Sequence, residues 1–139
     1  MAIEQQGFLG EWLTGGILLE KGFKWIQVDG FFEYNGKYWF IETKYKERFT
    51  AGSNFGYDSQ GLNLRELKKQ LEFEKKTGIK VIFLCLEPDG KEGFKDAKWQ
   101  FLKTLEELPD EMKFDTGGIR LYPLKFFRDL EELEKLKDE

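Results

Sequence analysis

Asn35-Gly36 sits between two alternating, aromatic-rich runs, Val28 to Tyr34 and Lys37 to Lys46. This dipeptide suits a type I′ turn, whose two central residues both need positive φ, so the stretch predicts a β-hairpin with a two-residue loop. A loop of that length fixes the register. Tyr34 faces Lys37, and counting back pairs Glu33 with Tyr38, Phe32 with Trp39, Phe31 with Phe40, Gly30 with Ile41 and Asp29 with Glu42. Two carboxylates are thereby expected to meet across the hairpin, at a separation of ~5 Å between Cβ atoms, where like charges are destabilising unless a cation lies between them. Lys44 and Lys46 share the parity of Glu42 and so its face of the strand.

Both faces of this hairpin are apolar: Phe31, Tyr38 and Phe40 accompany the carboxylates, and Phe32, Trp39 and Ile41 the other side. Such a sheet must be covered twice, which predicts a mixed α/β fold, a small central mixed sheet flanked by helices. Residues 1–139 are the length of a single domain with an ordinary core. The rest of the pattern agrees. A helix is expected over 3–21, with either a bend or a close backbone approach to a neighbour at Gly15-Gly16 and a stop at Gly22, then a strand over 23–27. A long loop spans 47–61, and a helix over 64–76 follows, with Asn63 as cap and Glu66 completing a capping box. Residues 79–86 read as a central strand buried on both faces, 98–108 as a helix with Trp99, Leu102 and Leu105 inward, 119–122 as a short strand and 126–137 as a charged amphipathic helix.

Histidine is absent, which excludes His-based zinc sites, Ser-His-Asp triads and Cys-His pairs. The single cysteine, Cys85, lies in an apolar run and reads as a buried hydrophobe in a reducing compartment. With no signal peptide and no run of ~20 apolar residues, a cytoplasmic location and no membrane partner are expected. The net charge of −4 gives no global basic footprint, so any nucleic-acid contact must be local.

Paired carboxylates beside a main-chain carbonyl, here that of Thr43, suit a hard divalent cation such as Mg²⁺, with Mn²⁺ able to substitute. Lys44 beside them supplies a point charge that orients water or stabilises an oxyanion, the combination phosphodiester hydrolysis requires. Glu-x-Lys alone is cheap in a chain with 35% charged residues, and the plain alternative is a surface charge cluster at a sheet end.

An N-terminal helix with a glutamate, the Asp29-Gly30 strand start, Ile41-Glu42-Thr43-Lys44, the stretch from Gly61 to Leu84 and the late Gly118 to Leu124 segment together resemble the PD-(D/E)xK nuclease superfamily, within it the restriction-endonuclease-like and Holliday junction resolvase-like domains. No proline precedes Asp29. The resemblance implies that Asp29 and Glu42 hold the metal, that Lys44 is the catalytic lysine and that Glu11, or instead Glu4 or Glu20, is a further site carboxylate. It implies a Mg²⁺-dependent endonuclease acting on DNA, with branched-DNA resolution by a homodimer as the specific version, and a catalytically silent nuclease-like nucleic-acid-binding module as the alternative. Lys46, Arg48, Arg65, Lys68 and Lys69 are the candidate phosphate contacts. Phe49, Phe55 and Tyr57 in the loop are expected either to stack on unpaired bases or to pin the loop down.

Overall fold

A computed structural model describes the backbone of residues 3–21, 23–25 and 30–138, with the side chains of all of these except 3–9, 11, 12, 24 and 25. In chain order the elements are α1 (Ile3–Glu20), β1 (Lys24–Trp25), β2 (Phe31–Tyr34), β3 (Lys37–Tyr45), β4 (Ser59–Asn63), α2 (Leu64–Thr77), β5 (Lys80–Pro88), β6 (Phe94–Phe101), α3 (Leu102–Glu106), β7 (Phe114–Thr116), β8 (Ile119–Pro123) and β9 (Arg128–Asp129). Short 3₁₀ segments join the later elements, and one of them closes the described chain at Leu130–Asp138.

The hairpin forms in the expected register. Tyr34 pairs with Lys37 and Phe31 with Phe40, and both turn residues take positive φ, 49° at Asn35 and 79° at Gly36. The ladder extends one step further through the Ile41 amide, which donates to the Gly30 carbonyl at 2.9 Å. Gly30 has φ of 102°, and a Cβ there would lie 2.5 Å from the Ile41 carbonyl oxygen, so only glycine fits this close crossing. Asp29 lies outside the described residues.

Six strands form the main sheet in the order β1-β2-β3-β5-β6-β9. The β3–β5 pair is parallel and the β2–β3 and β5–β6 pairs are antiparallel, because α2 carries the chain back across the sheet from β3 to β5 while short turns join β2 to β3 and β5 to β6. A smaller sheet, β4-β8-β7, stands beside it. Residues Val81 to Glu87 are all buried, as the apolar run predicts for a central strand. Each fully buried aliphatic or aromatic side chain there contributes ~1.5–3 kcal/mol relative to exposure.

Both faces of the main sheet are covered. On one, α1 residues such as Leu18 and the C-terminal Leu133 and Leu136 pack on Trp39, Ile41, Tyr45, Leu84 and Trp99. On the other, Leu67 of α2, Leu102 and Leu105 of α3 and Tyr122 of β8 pack on Val81, Phe83 and Cys85. Phe31, Phe40 and Phe73 of α2 form a three-ring cluster on this second face, with centroids 5.1–5.5 Å apart.

Four expectations change. α1 runs unbroken through Gly15-Gly16, with Gly15 buried. The predicted helix over 98–108 is a strand to Phe101 and a helix only from Leu102, since the turn at Asp89-Gly90 folds β6 back on β5 and Ala97 and Trp99 alternate inward. Ser59–Asn63, read as the end of a loop, is a strand. The C-terminal segment is 3₁₀ and not α, still burying Leu133 and Leu136. Among the described residues no helix is long and apolar enough to cross a membrane.

Candidate functional site

β3 sets the site. Period-two alternation sends Thr43 and Tyr45 to the α1 face and Glu42, Lys44 and Lys46 to the α2 face. In the parallel ladder Glu42 lies beside Phe83 and Lys44 beside Cys85, so the charged groups stand on an apolar floor. The Cys85 thiol is fully buried and burial pushes it well up, which leaves it an inert wall.

The first turns of α2 lie over these groups. Asn63 caps the helix, its side chain accepting from the Arg65 amide at 2.9 Å. The expected reciprocal half of the capping box is overridden. Glu66 turns to β3, where one carboxylate oxygen lies 2.7 Å from Lys44 Nζ. That contact is at ion-pair distance but poorly directed, and the same buried oxygen is left without a well-aligned donor. The Glu66 carboxyl is held below the ordinary glutamate value, first by its interaction with Glu42 and then, against burial, by Lys44 and more distantly Lys46. One turn further on, Gln70 Nε2 donates to Glu42 Oε2 at 3.4 Å. Residues 66 and 70 share a helix face because they are four apart.

Lys46 completes the row. Burial pushes its ammonium below the ordinary lysine value, and the like charge of Lys44 adds to this. Its Nζ sits 5.0 Å from the centroid of Phe49, and its carbonyl accepts from Gln60 Nε2 at 3.0 Å.

α1 reaches the opposite face of β3. A Cβ on Gly10 would stand 2.7 Å from Tyr45 Cβ, and Thr14 Oγ1 meets Thr43 Oγ1 at 2.9 Å. The side chains of Glu11 and Glu4 lie outside those described, as does all of Asp29. Among the described residues no group of three acidic or cysteine side chains converges as a metal cage, and Glu42 with Glu66 is the carboxylate pair of the centre.

The basic candidates divide. Arg48 is consumed within the fold: it reaches Glu87 at 2.6 Å, Asp96 at 2.8 Å and Asp58 at 3.7 Å. A buried Glu87 carboxylate needs such a partner, so the expectation of a phosphate contact from Arg48 is not supported by its geometry. Arg65 and Lys69 are exposed on α2 and flank the Glu66–Gln70 side. Lys68 is two residues from Glu66, about 200° around the helix, and lines a separate apolar groove of about 340 Å³ with Leu64, Leu71 and Arg120.

The long loop is pinned. Phe55 stacks on Phe114 with centroids 5.5 Å apart, Tyr57 meets Phe55 edge-on and carries Lys125 over its ring. Phe49 alone of the three expected aromatics remains substantially open, 37% exposed, while its backbone is clamped to Ser59 by two hydrogen bonds of 2.9 and 2.8 Å.

The fold matches that of a solved structure over nearly its whole length. Hjc of Archaeoglobus fulgidus, a Holliday junction resolvase from an archaeal hyperthermophile, superposes with a TM-score of 0.55 over 90% of this chain and 94% of its own, at 12% identity. The fold is restriction-endonuclease-like. No protein-family profile and no curated protein sequence matches the chain.

Glu66 and Gln70 are the site residues that sequence reading missed. Glu66 had a local explanation, the capping box, and a contact between residues 44 and 66 depends on how α2 crosses the sheet, which no local pattern encodes. The available signal was the i,i+4 spacing of two polar residues flanking the inward Leu67.

Proposed function

We propose that this chain is a divalent-metal-dependent endonuclease that hydrolyses DNA phosphodiester bonds, with branched DNA as its substrate class. The observation that carries the reading is the convergence of Glu42, Lys44, Lys46, Glu66 and Gln70 on one face of a resolvase-like sheet. Hard oxygen donors in contact, one of them lacking an aligned partner, fit Mg²⁺ or Mn²⁺. Glu42 would hold the cation, with Asp29, which counting from the turn expects opposite it, and the Thr43 carbonyl. The cation would supply Lewis-acid polarisation of the phosphate and a lowered pKa for water.

The chain's own groups do the rest. In hydrolysis a water oxygen bonds to phosphorus as one ester P–O bond breaks and the leaving oxygen takes up a proton. Lys44, between Glu42 and Lys46, places an ammonium where negative charge develops on the phosphorus centre. Lys46 extends that positive row along the strand, and Arg65 and Lys69 provide exposed charges on the helix above, suited to flanking phosphates. Phe55 and Tyr57 are engaged in packing, which leaves Phe49 to meet a nucleobase.

The test is incubation of a supercoiled plasmid and a synthetic four-way junction with Mg²⁺, Mn²⁺ or EDTA, alongside Lys44→Ala and Asp29→Ala. Cleavage that needs the metal and disappears in both variants is expected. Metal-independent cleavage, or cleavage surviving both substitutions, would sink the mechanism. Binding without cleavage selects the silent DNA-binding module. Symmetric paired nicks in the junction alone select a homodimeric resolvase, since two strands must be cut by two centres.

A further inference from the structure

Glu66 is not spent on the helix it belongs to. Asn63 already caps α2 through the Arg65 amide, so nothing local demands that the Glu66 carboxylate lie across β3. It lies there nonetheless, touching both of the functional groups that any phosphodiester chemistry at this centre must use. One contact is the 2.7 Å approach to Lys44 Nζ, which leaves that carboxylate oxygen without a well-aligned donor. The other is with the neighbouring Glu42 carboxyl, which acts on that of Glu66. Like charges this close disfavour one another, and a cation between them relieves that. Gln70 holds Glu42 from the next helical turn through Oε2, which keeps this carboxyl beside Glu66.

We propose that Glu66 is a shared ligand: it holds Lys44 while no divalent cation is bound, and turns to the cation when one enters beside Glu42, so that cation occupancy releases Lys44 for the substrate phosphate. This rests on the endonuclease reading and adds to it a residue of α2 that couples the two halves of the centre. Without the cation, Lys44 is neutralised by Glu66 and the row of positive charge facing a phosphate is shortened to Lys46. A cation beside Glu42 would take the Glu66 carboxylate as a further oxygen ligand, which would leave Lys44 exposed to the phosphate. The ordinary alternative is that the pair is a partly exposed surface ion pair with no bearing on the site.

Ca²⁺ titration of the full chain by calorimetry, with no DNA present, separates the two. Glu66→Gln is expected to weaken Ca²⁺ binding by roughly 10–100-fold, the range found for groups that support a metal site, with Glu66→Asp intermediate. Lys44→Met removes the competitor for Glu66 and is expected to tighten binding, and to do so less in the Lys44→Met/Glu66→Gln double variant. Glu72→Gln, which removes a charge from an exposed position of the same helix, is expected to change nothing. Glu66 is partly exposed, and melting curves verify that the variants fold. A Glu66→Gln chain that binds Ca²⁺ as the wild type does, or a Lys44→Met effect equal in both backgrounds, overturns the proposal. A wild-type chain that binds no Ca²⁺ overturns this inference, while the endonuclease reading stands or falls on the cleavage assay.

Discussion

At the scale of single residues, the hairpin and the site behave differently as objects of sequence reading. The positions of Glu42, Lys44 and Lys46 follow from counting along a two-residue turn, and the pairs observed from Tyr34–Lys37 to Phe31–Phe40 confirm the count. Glu66 could not be counted, because its partner in the fold is Lys44 and the competing local cap satisfied every nearby rule. Two consequences belong at this scale. Lys44→Ala is expected to lower the single-turnover cleavage rate by about 10²–10³-fold, the cost of removing one preorganised charge-stabilising donor, while leaving DNA affinity measured in Ca²⁺ within a few-fold. A fall in affinity equal to the fall in rate would place Lys44 in binding and not in chemistry. Gly30→Ala puts a Cβ 2.5 Å from the Ile41 carbonyl at a φ of 102°. It is expected to destabilise the chain by roughly 1–3 kcal/mol in urea melts, and an unchanged midpoint would show that the hairpin relaxes there at no cost.

At the scale of elements, the interior strands and helices were legible where one signal dominated and illegible where two periods coincided. β5 announced itself by an unbroken apolar run, and α2 by its cap and leucine stripe. The segment 98–108 carries Trp99, Leu102 and Leu105, which fit a helical stripe, yet the first of these belongs to a strand whose inward positions are Ala97 and Trp99. What decided it was the turn before it, which presents β6 to the open edge of β5. The same long-range logic recruits Arg48. It ties the loop after β3 to Glu87 of β5 and Asp96 of β6, and leaves Phe49 held at the rim by its bridge to Ser59. Arg48→Ala is therefore expected to act on stability, by roughly 1.5–3 kcal/mol for lost hydrogen bonds to charged groups. The double variant with Glu87→Gln should recover part of that loss in thermal melts, since the buried charge left without a partner is then gone. Full additivity of the two substitutions would mean that the pair carries no coupling.

On the β7–β8 hairpin, Asp115 faces Arg120 in the ladder and accepts two hydrogen bonds from its guanidinium, at 2.7 and 3.0 Å. Arg120 holds the Asp115 carboxyl below its ordinary value of 3.8. A carboxyl lowered on folding lends stability that is fully present above the unfolded value and is lost as pH falls through the folded one. Asp115→Asn should thus lower stability at neutral pH by the small amount of an exposed pair, roughly 0.2–1 kcal/mol, and the difference from wild type should vanish as pH drops below about 3.8. A difference that persists in acid would assign the effect to packing and not to charge.

At the scale of the whole molecule, the chain carries a net charge of −4, so on the proposed endonuclease reading DNA must be met by one face and held off by the rest. The helix geometry says which face. Arg65 and Lys69 flank the side of α2 that carries Glu66 and Gln70 over Lys44 and Glu42, whereas Lys68 looks into the groove with Leu64, Leu71 and Arg120. Each phosphate neutralised contributes about 0.9 to the slope of log affinity against log salt for duplex DNA. The double variant Arg65→Ala/Lys69→Ala is accordingly expected to reduce that slope by roughly 1.8, read by fluorescence anisotropy on a four-way junction across a salt series in Ca²⁺. Lys68→Ala, equal in charge per site and one residue from Lys69, should leave the slope alone. If all three lysine and arginine positions contribute alike, DNA lies along the outer surface of α2, and the substrate phosphate would approach Lys44 and Lys46 from a direction that the Glu66 and Gln70 side of the helix does not face.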